Sequence, residues 1–288
     1  MRQPAALALI RPTQWIKNLF VVAPLLLTPA ALSLASLADV LAAALGFSAL
    51  ASVVYILNDY ADREADRAHP TKRHRPLAAG TVSVRLAFTL LVLLLVAAGL
   101  LATTLPRDFA LIALAYLASN LAYSFGLKHV AIVDVMIVAL GFVLRVEAGA
   151  VAAKVPASAW IVIATGLLAL FLALAKRRDD VVRSLDARHR KSLDGYTKPF
   201  LDMALSVVIG ALLVAYLIYT TDAAVMQRLG TTHVYYTAPW VVAGILRYLQ
   251  IAMVEERSGS PTDVVLTDRF LILTILGWIA TFTALLYG

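Results

Sequence analysis

The chain reads as a succession of long apolar runs separated by polar stretches. Run length predicts nine membrane-crossing segments, at residues 18–34, 39–57, 86–104, 109–125, 131–153, 159–175, 201–221, 235–253 and 270–287. A helix that crosses the hydrocarbon layer needs about 20 mostly apolar residues. The Gly and Pro residues inside several runs are tolerated in membrane helices. The expected fold is therefore all-α, a polytopic helical bundle of about nine transmembrane helices forming a single integral-membrane domain over residues 1–288. No low-complexity linker divides it. Polar, Asp-bearing stretches follow the second and sixth runs and hint at two related halves.

The polar stretches alternate in charge. Arg107, Lys154 and Arg228 are the bases on one side, and Arg145 and Arg247 lie inside runs. The other 20 of the 25 Lys and Arg fall at 1–17, 58–85, 127–130, 176–200 and 254–269. Basic loops stay in the cytoplasm, which places the N-terminus and these loops there. Nine spans would then leave the C-terminus outside.

Composition sharpens this picture. Hydrophobic residues make up 61% of the chain and charged residues 15%, with a mean hydropathy of +0.83. Soluble domains average about 25% charge. The net charge of +7 does not imply nucleic acid, because the bases lie between membrane runs; membrane lipids or anionic substrates account for them. The lack of cysteine excludes a disulfide framework, a cysteine-ligated zinc site and a thiol nucleophile. Residues 1–17 carry Arg2, Arg11 and Lys17 without a small-residue cleavage pattern, so no cleavable signal peptide is expected. Oligomeric state stays open, a homo-oligomer included.

Candidate chemistry concentrates at the end of the second run, where Asn58, Asp59, Asp62 and Asp66 form an N-D-x-x-D-x-x-x-D pattern. On a continuing helix Asn58, Asp62, Asp66 and Asp59 lie at about 0°, 40°, 80° and 100°, on one face, and Glu64 points away. Clustered carboxylates repel unless a cation lies between them. Oxygen-only ligands suit Mg²⁺, which takes one or two carboxylates plus substrate phosphates. The pattern thus points to a magnesium–diphosphate site formed by Asp59, Asp62 and Asp66, against the plainer reading of a solvated acidic loop. Lys72, Arg73 and Arg75 follow, able to hold phosphate oxygens or to serve as positive-inside anchors. His69 and His74 are loop residues rather than ligands.

With these residues in view, the sequence resembles the UbiA superfamily of membrane prenyltransferases. The resemblance rests on the acidic motif, on the His69–Gly80 stretch H-P-T-K-R-H-R-P-L-A-A-G and on the nine-span pattern. Within the superfamily it looks most like the decaprenyl-phosphate phosphoribosyltransferases. Residues 11–18 resemble their R-P-x-Q-W-x-K-N opening, residues 141–149 their G-F-x-L-R-x-x-A-G stretch, and residues 172–178 the segment that leads to a K-R pair. Aromatic prenyltransferases of the superfamily carry a second D-x-x-x-D motif. Here the matching residues 176–184 begin with Lys176, Arg177 and Arg178 and lack that Asp spacing. The departure favours an additional anionic group on the substrate, such as the 5-phosphate of phosphoribosyl pyrophosphate (PRPP).

The resemblance implies transfer of 5-phosphoribosyl from PRPP to a polyprenyl phosphate, in the synthesis of a cell-envelope arabinose donor, at a site facing the cytoplasm from the inner membrane. Asp59, Asp62 and Asp66 would act through Mg²⁺ with Asn58 assisting. The alternative keeps the metal site but moves a prenyl group from a lipid diphosphate to an aromatic or haem acceptor. A transporter would instead need acids and bases at the bilayer midplane.

Further candidates for phosphate or polar contact are Lys17, Asn18, Tyr123, Tyr196, Tyr248 and Arg247. Arg145 lies within a span, where a charge is costly and a functional candidate; it would bind phosphate or form an internal ion pair. Asp134 shares its helix face but lies about 16 Å away along the axis, too far to pair. Trp15 reads as an aromatic-belt residue, and Asp268 and Arg269 as the cap and anchor of the last span.

Overall fold

A computed structural model describes residues 4–68, 70, 72–183 and 191–287. His69, Thr71 and Ser184, which belong to the two polar motifs, lie outside the described residues. Among those residues all regular structure is helical. The contacts divide the chain into two compact units. Unit 1 comprises Met1–Leu26, Ala31–Lys128 and Leu144–Ala157; unit 2 comprises Leu27–Ala30, His129–Val143 and Ser158–Gly288.

Unit 1 begins with α1 (Ala5–Ile10), a 3-10 turn (Pro12–Asn18) and α2 (Leu19–Leu26). The long α3 (Leu34–Ala61) follows, then α4 (Arg63–Ala68), α5 (Val84–Thr103) and α6 (Arg107–Phe125). The second half of α7 (Val133–Ala153) belongs here too. Ser33 and Ser36 cap α3 reciprocally, each side chain accepting from the other's backbone N–H, and Ser83 caps α5. The α3 sequence is rich in Ala, Gly and Ser, which lets neighbouring helices approach closely. Phe47 lies at the middle of its core, 5.8 Å from the Phe109 ring and 5.1 Å from that of Tyr116. Leu77 and Val82 are buried with Val53, Ile56 and Leu91, and so fasten the basic 72–80 segment onto α3 and α5.

Unit 2 contains the first half of α7, then α8 (Ala159–Val182), α9 (Lys198–Thr221), α10 (Ala223–Leu229), α11 (Ala238–Met253), α12 (Pro261–Thr267) and α13 (Arg269–Tyr287). Ser158 caps α8 and Thr197 caps α9. The core joins Phe171 and Leu174 of α8, Leu201 and Leu205 of α9, and Tyr248 and Ile251 of α11.

Seven described helices are long and apolar enough to cross a membrane: α3, α5, α6, α7, α8, α9 and α13. Leu100, Leu111, Met203 and Val207 on them stay exposed, as lipid-facing residues do. Of the nine expected crossings seven are single long helices, and the other two runs fold as shorter helical pieces. The 18–34 run is broken by Pro24 inside α2 and by the 3-10 turn Pro29–Ala31. The 8 residues of α2 rise about 12 Å and continue directly from the 7-residue 3-10 turn Pro12–Asn18. The 235–253 run begins in the 3-10 turn Val234–Thr237, which leads directly into the 16 residues of α11; Thr237 bonds Tyr216 near the end of α9 at 2.7 Å, and the Ala252 carbonyl bonds Arg178 near the end of α8 at 2.7 Å. Apolar run length counts residues, and proline decides how many of them share one helix.

Candidate active site

The 28-residue α3 continues past the predicted end of its span at 57 and carries Asn58 and Asp59 on its last turn. It stops at Ala61, and Asp62 occupies the cap with φ −90° and ψ 2°. The i to i+4 ladder still passes through this bend: the Asp62 N–H donates to the Asn58 carbonyl at 2.9 Å, and the Asp66 N–H to the Asp62 carbonyl at 2.8 Å. The helical spacing of the motif therefore largely survives, while the bend separates the environments of its three acids.

Asp59 and Asp66 are buried, with 1% and 3% exposure. One nitrogen, Nη1 of Arg75, lies 2.7 Å from Asp66 Oδ2 and 3.2 Å from Asp59 Oδ1. Arg11 Nη2 donates to the same Asp59 Oδ1 at 2.5 Å. Asp59 Oδ2 is buried and has no hydrogen-bond partner. Asp62 is more open and accepts from Lys128 Nζ at 2.6 Å. Glu64 is exposed and pairs with Arg63 and Arg67, which agrees with its expected place off the acidic face.

The three aspartates are thus held by three cations. Among the described residues they do not close into a group of three metal ligands. Their donor chemistry nonetheless fits a hard cation, since Asp59, Asp62, Asp66 and Asn58 offer only oxygen acceptors on one side, and Asp59 Oδ2 has its lone pairs unused.

Arg11 and Lys128 are functional candidates that the sequence reading does not single out. Arg11 opens the R-P-x-Q-W-x-K-N stretch in a left-handed conformation (φ 51°), its guanidinium 4.9 Å from the Tyr55 ring centroid. Lys128 is the lone base of the short 127–130 stretch. Either could have been found by asking which cations would neutralise a buried acidic face.

The same N-terminal stretch carries Lys17, half-buried, and Asn18, buried at 3% exposure. Asn18 Nδ2 donates to Ser48 Oγ at 2.8 Å, and Arg145 Nε donates to Asn18 Oδ1 at 2.7 Å. Arg145 Nη2 reaches the Tyr116 hydroxyl at 2.9 Å. Arg145 is 5% exposed, so its described contacts are with core groups of unit 1. Trp15 donates to Ser52 Oγ at 3.0 Å and is half-buried, not simply an interfacial belt residue. Gly149 permits this arrangement: a Cβ there would lie 1.8 Å from the Val21 carbonyl oxygen.

The basic segment forms the 3-10 turn Lys72–His74, with Lys72 half-buried and Arg73 exposed. Tyr123 is half-buried near the end of α6.

In unit 2 the basic run is largely committed to internal partners. Arg177 Nε donates to Asp134 Oδ2 at 2.6 Å and its Nη1 to Asp180 at 2.8 Å. Asp134 also accepts from the Tyr196 hydroxyl at 2.7 Å, and the Tyr196 oxygen accepts from the Ile132 N–H at 2.6 Å. Burial, then the Asp134 carboxylate, push the Tyr196 hydroxyl above the usual tyrosine range. Asp134 therefore pairs with Arg177, 43 positions further along the chain. Arg178, 2% exposed, joins Asp202 at 2.6 Å to the Ala252 carbonyl at 2.7 Å. Lys176 precedes them, half-buried. Arg247 binds Asp268 and Glu255, each at 2.6 Å, so it neither snorkels alone nor points to open solvent. Asp268 caps α13 through the Leu271 N–H, and Arg247 holds its carboxyl well below the usual carboxylate range. Tyr248 lies in the unit 2 core, its ring 5.3 Å from that of Phe171.

The sequence pattern of the UbiA prenyltransferase family matches residues 19–275. A decaprenyl-phosphate phosphoribosyltransferase of Mycolicibacterium smegmatis is 37% identical, over 96% of this chain and 91% of that protein. The enzyme of the same name from Mycobacterium tuberculosis is 38% identical over 94% and 91%, and that of Corynebacterium glutamicum 34% over 94% and 83%. A UbiA homolog from Archaeoglobus fulgidus, solved bound to GPP and Mg²⁺, shares the fold with a TM-score of 0.74 at 21% identity, covering 99% of this chain and all of that one.

Proposed function

The chain belongs to the UbiA prenyltransferase family, and on that footing we propose that it transfers the 5-phosphoribosyl group of PRPP to a polyprenyl phosphate of decaprenyl type, releasing pyrophosphate. It is an integral membrane protein. The reading places it in the inner membrane with the acidic site on the cytoplasmic side, where the positive-inside rule puts the basic loops.

The observation that carries the reading is the buried pair Asp59 and Asp66, surrounded by Arg11 and Arg75, with one Asp59 oxygen unpartnered. Two buried acids facing two half-buried bases suit a cation and a polyanion together. Asp59, Asp62 and Asp66, with Asn58, are the residues to hold Mg²⁺, which when bound would offset charge growing on the pyrophosphate leaving group. Arg75, Arg11, Lys72 and Arg73 are placed to take phosphate oxygens not covered by metal, the guanidiniums by paired N–H contacts.

In the reaction the C1–O bond to pyrophosphate breaks, and a new C1–O bond forms to a phosphate oxygen of the lipid. That oxygen is already anionic near neutral pH. The chain therefore needs no strong general base, and none of its five histidines has to serve as one. Its residues bind, orient and neutralise. For the extra phosphate of PRPP the half-exposed 72–75 segment is a better candidate than Arg177 and Arg178, whose side chains are buried against Asp134, Asp180 and Asp202.

The test is incubation of the purified protein with radiolabelled PRPP and polyprenyl phosphate. Lipid-linked label is expected, with a loss of about 100-fold or more in Asp62→Asn at unchanged thermal stability. Absence of lipid-linked label together with prenylation of an aromatic acceptor would replace this reading by the other activity of the family.

A further inference from the structure

We propose that Arg75 is a resident counter-ion that holds the Asp59–Asp66 pair in the ligand-free protein and leaves it for the diphosphate when metal and diphosphate bind together. The proposal rests on the metal–diphosphate reading above and adds to it a rule of assembly.

The argument starts from charge. Asp59 and Asp66 are buried acids, and buried acids are tolerated only when paired. Arg11 and Arg75 balance them, two positive charges against two negative. A divalent ion entering this set alone would leave a surplus of two positive charges in a poorly solvated place. Arriving with a diphosphate, it would not.

Geometry identifies which arginine yields. A single nitrogen of Arg75 stands between the two carboxylates, 2.7 Å from one and 3.2 Å from the other. That nitrogen fills the space between the two carboxylates, so Arg75 would have to leave for Asp59 and Asp66 to hold Mg²⁺ together. Arg11 instead reaches Asp59 from the side and stacks on Tyr55.

The segment that carries Arg75 is built to keep its backbone still while the side chain turns. The Arg75 N–H donates to the Lys72 carbonyl at 2.9 Å, and its own carbonyl accepts from Ala79 N–H at 2.8 Å. Leu77, 2% exposed, pins the next turn. The Arg75 side chain is itself 28% exposed. A guanidinium released from the carboxylates can bind a diphosphate by two parallel N–H contacts. Asp59 Oδ2, buried and unpartnered, would be available to hold the ion beside the oxygens that Arg75 releases.

Metal and diphosphate affinities should therefore be strongly and reciprocally coupled. The experiment titrates the detergent-solubilised full chain with Mn²⁺, following free Mn²⁺ by electron paramagnetic resonance, with and without saturating pyrophosphate. In the wild type, pyrophosphate should tighten Mn²⁺ binding at least tenfold. In Arg75→Gln, Mn²⁺ alone should bind about fivefold tighter than in the wild type, and the pyrophosphate effect should fall below threefold. If Arg75→Gln does not fold, Arg75→Lys decides, because a lysine keeps the charge but lacks the paired contacts: its coupling should fall at least threefold. Unchanged Mn²⁺ affinity in Arg75→Gln, or wild-type coupling in Arg75→Lys, would overturn the proposal. A wild type that binds no Mn²⁺ even with pyrophosphate would overturn the metal–diphosphate reading instead.

Discussion

Arg178 shows what a single charged side chain does in this protein. It is 2% exposed, and it joins α8 to Asp202 of α9 and to the carbonyl of Ala252 near the end of α11. All three elements belong to unit 2, and the guanidinium satisfies the end of one helix while fixing the other two. Truncating such a residue leaves the Ala252 carbonyl without its side-chain donor and Asp202 with Lys198 alone, at a cost of about 1–3 kcal/mol. Arg178→Ala should therefore lower the melting temperature in detergent and the yield of folded protein. A variant that melts like the wild type but shows a raised KM for PRPP would return Arg178 to the substrate. The same distinction applies to Arg177 and Asp134. Arginines after the sixth run look like phosphate ligands in sequence, because nothing local reveals that Asp134 and Asp202, 43 and 24 positions away, will meet them.

At the scale of elements, the short α2 matters more than its length suggests. It follows directly on the 3-10 turn whose last residue, Asn18, meets Ser48 and Arg145 and whose N-cap, Arg11, meets Asp59. The backbone of α2 touches α7 at Gly149, where a Cβ would meet the Val21 carbonyl oxygen at 1.8 Å. Backbone cannot yield as a side-chain tip can. Gly149→Ala should destabilise the protein by about 1–3 kcal/mol as an overpacked contact. Gly210→Ala in α9, where nothing lies within 4 Å of the added Cβ, should be neutral or stabilising by up to about 1 kcal/mol. Thermal melting of the two variants side by side checks this, and equal effects would show that α2 does not depend on the close approach.

For the whole molecule the question is sidedness. The chain has no cysteine, so single-cysteine variants report topology directly. Arg73 is exposed in a basic stretch, and Lys154 is exposed in a sparsely charged one. With the basic stretches inside, a membrane-impermeant maleimide should label Lys154→Cys in intact cells and Arg73→Cys only after permeabilisation. The reverse pattern would place the acidic site on the outer face, away from a cytoplasmic supply of PRPP.

The sequence by itself determined the all-helical membrane architecture, most of the crossing helices and the acidic motif at the end of α3. These depend on summed hydrophobicity and on i to i+4 spacing, both local along the chain. The tertiary structure alone decided which cation meets which acid: Arg11 with Asp59 across 48 positions, Lys128 with Asp62 across 66, Arg177 with Asp134 across 43. It decided too that Arg145 is enclosed by Asn18 and Tyr116 and that the 18–34 and 235–253 runs fold as shorter helical pieces. A buried charge takes whichever partner packing brings within about 3 Å, and packing is a property of the folded chain rather than of any segment of it.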